Sequence, residues 1–287
     1  MKSRYLFNIL LIIVILGLYW FLNQETSIPT QPTLSITSHD DISQITIARN
    51  GLDTISIHKN SSGWQLVQPL NAPANNTRMK LLLSILNTPI YAQLSHADNA
   101  TRSQLGFNDT STVLTLNNDR FQFGNIESIS KRRYVLHNDV IHLIDDNVAP
   151  LLNANAASFI DNKLIPLNKQ ISKLIITKSN TDNSLSTNDI IIEQKQGRWI
   201  SNGNLSADQL SLLIEAWQHA YALQVIPLKT AKLPLTEPHK IIIWLNDASI
   251  ELELQTNVRT LYLNNQQQQL SYQFPVELLS QLAPTEP

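Results

Sequence analysis

Eighteen consecutive residues, Tyr5 to Leu22, carry no charged side chain. As a helix this run would extend about 27 Å, close to the ~30 Å of a bilayer's hydrocarbon core. Tyr19, Trp20 and Phe21 gather at its far end, where amphipathic rings favour the headgroup level. Lys2 and Arg4 precede the run, and no Lys or Arg follows until Arg49. The positive-inside rule therefore keeps the N-terminus in the cytoplasm and exports the remainder. A cleaved signal peptide is the competing reading. Its apolar region usually spans only ~7–15 residues and ends in a small-x-small site. Here the run is longer and ends in Leu18-Tyr19-Trp20-Phe21-Leu22-Asn23, without small residues, so a retained single-pass anchor is expected.

Residues 1–22 thus read as a cytoplasmic tip and transmembrane anchor, and 23–40 as a linker. In the linker Pro29 and Pro32 sit among Thr, Ser and Gln with no apolar periodicity. The pattern changes at residue 41. Ile45, Ile47, Ile55 and Ile57 alternate around Asn50-Gly51, which favours a tight hairpin turn, and a third strand is expected at Gly63 to Val67. After Pro69 and Pro73, Asn75, Asn76 and Thr77 offer N-cap side chains to a helix. Met79, Leu82, Leu83 and Leu86 form its buried stripe, and Pro89 ends it. Strands are expected at Tyr91–Leu94, Val113–Leu116, Phe121–Phe123, Arg133–Leu136 and Val140–Ile144, the last two joined through Asn138-Asp139. A short helix carrying Leu151 and Leu152 should follow Asp145-Asp146, which suit its N-terminus.

The pattern is then written again. Leu174–Thr177 and Ile190–Gln194 alternate, and Trp199 stands where Trp64 stood. Ser206 and Gln209 have capping-box spacing, and Leu210, Leu213, Ile214 and Trp217 repeat the helical stripe. Tyr221 to Gln224 echo Tyr91 to Leu94, Leu245 answers Leu116, and Tyr262 answers Tyr134. The offset between counterparts falls one way, from 135 at Trp64/Trp199 to 127 at Leu151/Leu278, as small deletions between collinear copies would produce. The expectation is an α+β body of two similar antiparallel-sheet-plus-helix units, 41–167 and 168–287, with Trp64 and Trp199 packed beneath the helices.

A net charge of −2 leaves no basic footprint for nucleic acid. The absence of cysteine removes disulfides, thiolate metal sites and a Cys nucleophile. Gly-rich phosphate loops, G-x-S-x-G and H-E-x-x-H are absent. His137 and His142 are the best metal candidates. Their hairpin puts them on one face, opposite Tyr134, Leu136, Ile141 and Leu143, but a site needs a further ligand, and two solvated outer-face histidines are expected. Glu251 and Glu253 alternate with Ile250, Leu252 and Leu254, so they read as a solvated strand face rather than a general acid–base pair. Asp109, Asp145 and Asp146 suit turns and caps. Lys131-Arg132-Arg133 is the one basic cluster beyond the anchor, and solvation or edge protection is its expected role rather than a contact with acidic lipid or a partner. No catalytic, cofactor-binding or metal-binding residue is assigned, and no cofactor is expected.

Gly63-Trp64, Pro69, Ala72-Pro73-Ala74, the Leu-rich helix, Leu105-Gly106-Phe107, Phe123-Gly124, Tyr134-Val135 and Phe159 to Leu164 together resemble a bacterial membrane-anchored family called domain of unknown function 4340. The resemblance covers most of residues 5–165 and is looser beyond. It implies a bitopic protein of the bacterial inner membrane with a periplasmic body, and association with ABC-transporter components. It carries no chemistry to transfer. The resulting expectation is a non-enzymatic envelope protein whose double domain binds a protein partner. The alternative is a module for an envelope glycan or lipid in the seam between the halves.

Overall fold

The structure is a computed structural model that describes residues 12–20, 31–177, 189–234, 237–246 and 248–283. Residues 12–20 are helical (α1) and lie inside the expected anchor, whose other residues fall outside the described ones. Among the described residues no helix is long and apolar enough to cross a membrane.

The body is built on two antiparallel sheets. The first has nine strands: β1 (Gln44–Ala48), β2 (Ile55–Asn60), β3 (Gly63–Gln68), β4 (Ala72–Pro73), β5 (Ile90–Ser95), β6 (Val113–Leu116), β7 (Asp119–Ile126), β8 (Arg133–His137) and β9 (Val140–Ile144). Their spatial order is β4-β3-β2-β1-β6-β7-β8-β9-β5. The second has eight: β10 (Ile171–Thr177), β11 (Ile190–Lys195), β12 (Arg198–Ser201), β13 (Gln224–Pro227), β14 (His239–Leu245), β15 (Ser249–Thr256), β16 (Thr260–Asn265) and β17 (Leu270–Pro275), in the order β12-β11-β10-β14-β15-β16-β17-β13. Apart from the extra β4, the second order is the first repeated, counterpart by counterpart. The two sheet units are similar, as the one-way drift in spacing predicts.

The helices sit where their stripes demand. Helix α2 (Asn76–Leu83) is capped by the Asn75 side chain, which accepts the Arg78 N–H. A 3-10 turn, Ser84–Asn87, extends it, and Met79, Leu82, Leu83 and Leu86 are all buried. Its counterpart α5 (Ala207–Gln218) opens with the Ser206/Gln209 capping box and buries Leu210, Leu213, Ile214 and Trp217. Four large side chains per helix contribute several kcal/mol of burial each way before entropy is charged. Three further short helices are α3 (Asn99–Gln104), α4 (Ala149–Leu152) and α6 (Leu279–Leu282). The buried side chains of both units form one continuous apolar cluster.

Each unit also begins with a short leader that docks on the segment between its helix and its last-placed strand. In the first unit the Leu34 and Ser35 N–H groups donate to the Thr88 and Leu86 carbonyls, and Ile90 N–H donates to Pro32 O. In the second, Leu164 N–H donates to Ala220 O, and Ala222 N–H donates to Asn162 O. Leu34 and Leu164 are both buried. Residues 31–40 are therefore joined to the body rather than acting as spacer, and the second unit's pattern begins at Asn162, before the anticipated 167/168 junction.

Several local expectations are corrected. The turn at Asn50-Gly51 exists, with Gly51 at φ 69°, but it sits within a wider loop because Ile47 pairs with Ile55. Tyr221 lies outside β13. Its backbone bridges Lys163, and the strand starts only at Gln224. Asp145 and Asp146 do not cap α4, whose N-cap is Val148. Trp64 and Trp199 are half-buried at the rim of the core, and the fully buried indole is that of Trp217.

Candidate functional site

The β8–β9 hairpin has the register read from sequence, with His137 opposite Val140 and Val135 opposite His142, and its turn residues Asn138 and Asp139 at φ 50° and 61°. Its facing is reversed. His137 and His142 lie on the core face with Val135 and Ile144, and are only 6% and 7% exposed. The His137 ring stacks on Phe121 at 4.3 Å between centroids, and its two nitrogens meet Arg120 O and the Asn138 carboxamide. The turn after α3 packs on the neighbouring β7. Gly124 gives close passage to Leu105 O and the Phe107 ring, and Asn125 N–H donates to Leu105 O at 2.7 Å. Burial holds His142 below the ordinary imidazole value, the neighbouring His137 opposing and aiding in smaller measure. Its Nδ1 is buried without a hydrogen-bond partner. Among the described residues no group of three His, Cys, Asp or Glu is placed to hold a metal.

The remaining candidates are absorbed by local structure. Glu251 pairs with Lys240 at 3.2 Å, and Glu253 accepts from the Gln266 carboxamide, both on the outer face of β15. Asp109 is exposed in a turn. Of the basic cluster, Arg133 pairs with Asp146 at 2.6 Å and donates to Gly124 O. Arg132 pairs with Asp145 at 3.1 Å and lies over the Tyr91 ring.

Two features do suit an external contact. One is a sheet edge. Each sheet has two edges, and three of the four are blunted. The short β4 contains Pro73 and is capped by the following chain, with Ala74 bridging Ile160 and Asp161 N–H donating to Pro73 O. Strand β12 has four residues and carries Arg198. Strand β13 ends in Pro227 and packs against the turn Ala156–Phe159. By contrast β5 has six residues, no charge and no proline, and Tyr91 to Ser95 are all exposed. Natural sheets usually defend such an edge with charge, proline or a cover. Sequence reading places this strand but not its edge position, which depends on non-local pairing with β9.

The second feature is a cavity of about 350 Å³ in the seam, lined from the first unit by Trp64, Pro73 and Asn76, from the junction by Asp161 and Lys163, and from the second unit by Gln268 and its neighbours. Two separated stretches singled out in the sequence, Ala72-Pro73-Ala74 and Phe159 to Leu164, meet at this wall, since Asn75 N–H also donates to Phe159 O. Likewise Leu105-Gly106-Phe107 and Phe123-Gly124 form one joint. Burial, and secondarily the charge of Asp161, push the Tyr272 phenol on the cavity wall above its ordinary value.

No curated protein and no solved structure matches the chain. Residues 64–238 match the family described as Domain of unknown function (DUF4340). The match starts at Trp64 and runs well into the second unit, further than the sequence resemblance alone reaches. It spans more than half of the chain, which therefore belongs to the DUF4340 family.

Proposed function

We propose that this chain is a non-enzymatic, single-pass envelope protein. Its N-terminus is cytoplasmic, its body is exported, and it engages a protein partner through β5. The observation that carries the reading is the uncharged edge strand. Its free N–H and C=O groups can extend the sheet by one strand of another polypeptide. The leader supports a membrane-proximal partner. Ile90 N–H donates to Pro32 O at the head of β5, so the open edge starts beside a residue that follows the charge-free run by ten positions in sequence. An ABC-type membrane complex is the partner class that the family resemblance implies.

The test is a photo-crosslinking residue at Gln93 of the full-length protein in intact cells, with a control at Glu251. A discrete heterologous adduct at Gln93 alone, abolished by Leu94→Pro, is the expected result. An adduct only to the chain's own residues 23–30, or equal labelling at both sites, would defeat it. Topology is checked separately: an alkaline phosphatase fused after Pro287 should be active only if exported.

A second reading, a ligand module acting through the seam, is favoured by the cavity shared between the units.

A further inference from the structure

The geometry points to a neutral saccharide as the ligand of the seam cavity, an assignment that rests on the ligand-module reading and supplies its chemical class. At about 350 Å³ the cavity falls at the small end of ligand clefts, which run from about 300 to 1,000 Å³. That size suits one or two sugar rings rather than a polymer.

The wall chemistry narrows the class. Asp161 and Lys163 bring one negative and one positive charge, and Asn76, Asn168, Asn265 and Gln268 bring carboxamides. Neighbouring acceptors and donors of this kind match vicinal hydroxyls, each of which both donates and accepts. Trp64, Pro73 and Ile250 add apolar surface for the C–H face of a pyranose. Phosphate-bearing ligands are disfavoured, because their recognition calls for Arg forks or several cations, and Lys163 is the one cation among the lining residues, two positions along the chain from Asp161. An acyl chain is disfavoured because it would strip water from Asp161, Lys163 and four carboxamides without replacing their hydrogen bonds.

The polar groups are held in place by the fold. Asp161 N–H donates to Pro73 O, and its carboxylate accepts from Lys163 N–H at 3.2 Å. Asn265 accepts from Gln268 N–H at 2.8 Å, at the turn between β16 and β17. Outside the lining, the Lys59 ammonium lies 5.8 Å from the centre of the Trp64 ring. Groups contributed by both units and fixed beforehand lose little entropy on binding.

The test is calorimetric titration of the full chain in detergent with cellobiose and with N,N′-diacetylchitobiose, and in parallel with laurate and inorganic phosphate. Saturable binding of at least one disaccharide is expected. Asp161→Asn should weaken it about tenfold or more, the loss for a hydrogen bond to a charged group, and Gln268→Ala should weaken it less. Glu251→Gln, on the far face of β15, should leave it unchanged. Trp64 fluorescence should shift on binding, and the shift should vanish in Trp64→Phe. If laurate or phosphate binds and neither disaccharide does, the saccharide assignment falls while the ligand module stands. If none of the four binds, both fall.

Discussion

The guanidinium of Arg132 lies 3.3 Å from the centre of the Tyr91 ring, and Asp145 accepts from both side chains, at 3.1 Å from Arg132 and 2.8 Å from Tyr91. This trio pins the head of β5 to the loop before β8 and the end of β9. Planar stacking and the carboxylate bond both use the Arg fork, which Lys lacks. Arg132→Lys should therefore release β5 locally, raising amide hydrogen exchange at Tyr91 to Leu94 several-fold while shifting global stability by no more than about 1 kcal/mol. Unchanged exchange at those amides would show that the pairing with β9 holds the strand alone.

His142 should make the fold acid-sensitive. Its folded pKa lies below the ordinary 6.5, so the unfolded chain takes up the proton first as pH falls. The stabilisation is full above about 6.5 and is lost as pH drops below it, at up to about 1.4 kcal/mol per pH unit. Denaturation midpoints measured between pH 7.5 and 5 should fall for the native chain, and fall less for His142→Leu. Parallel slopes would remove His142 from the account.

Gly106 sits at φ 89°, and a Cβ there would lie 2.8 Å from the Asn125 backbone nitrogen. Backbone cannot step aside as a flexible side chain can. Gly106→Ala should cost about 2–4 kcal/mol, combining left-handed strain with overpacking. Thermal denaturation should report it, with near-UV circular dichroism showing loss of packing around Phe107.

Trp217 is fully buried, and its indole N–H donates to Leu282 O at 2.8 Å, tying α5 to α6. Trp217→Ala should cost about 3–5 kcal/mol. Half-buried Trp64 should lose only about 1–2 kcal/mol on truncation, since much of its surface already faces solvent. Equal losses in urea titrations would refute the distinction.

These contrasts show how far local pattern carries. Helix stripes, the capping box, the β8–β9 register and the doubled pattern are written in sequence spacing, and the structure returns each of them, whereas it widens the turn at Asn50-Gly51. What misled was facing. Tyr134, Leu136, Ile141 and Leu143 make an unbroken apolar face, whereas the other face carries Arg133, His137 and His142, so periodicity alone turns the hairpin the wrong way. Which side is buried depends on contacts distant in sequence, such as the stacking of His137 on Phe121. Tyr221 misled similarly: its resemblance to Tyr91 is local, whereas its bridge to Lys163 reaches across the chain. The open edge and the seam cavity were illegible for the same reason, each being made by segments far apart in sequence.

The stretch from Phe159 to Leu164 is stitched on both sides, its first half to Pro73, Ala74 and Asn75 of the first unit and its second half to Ala220, Tyr221 and Ala222 of the second. A six-residue seam of that kind is no swivel. Tension applied to one half would pass straight through to the other, so the pair would behave as a stiff strut rather than beads on a string.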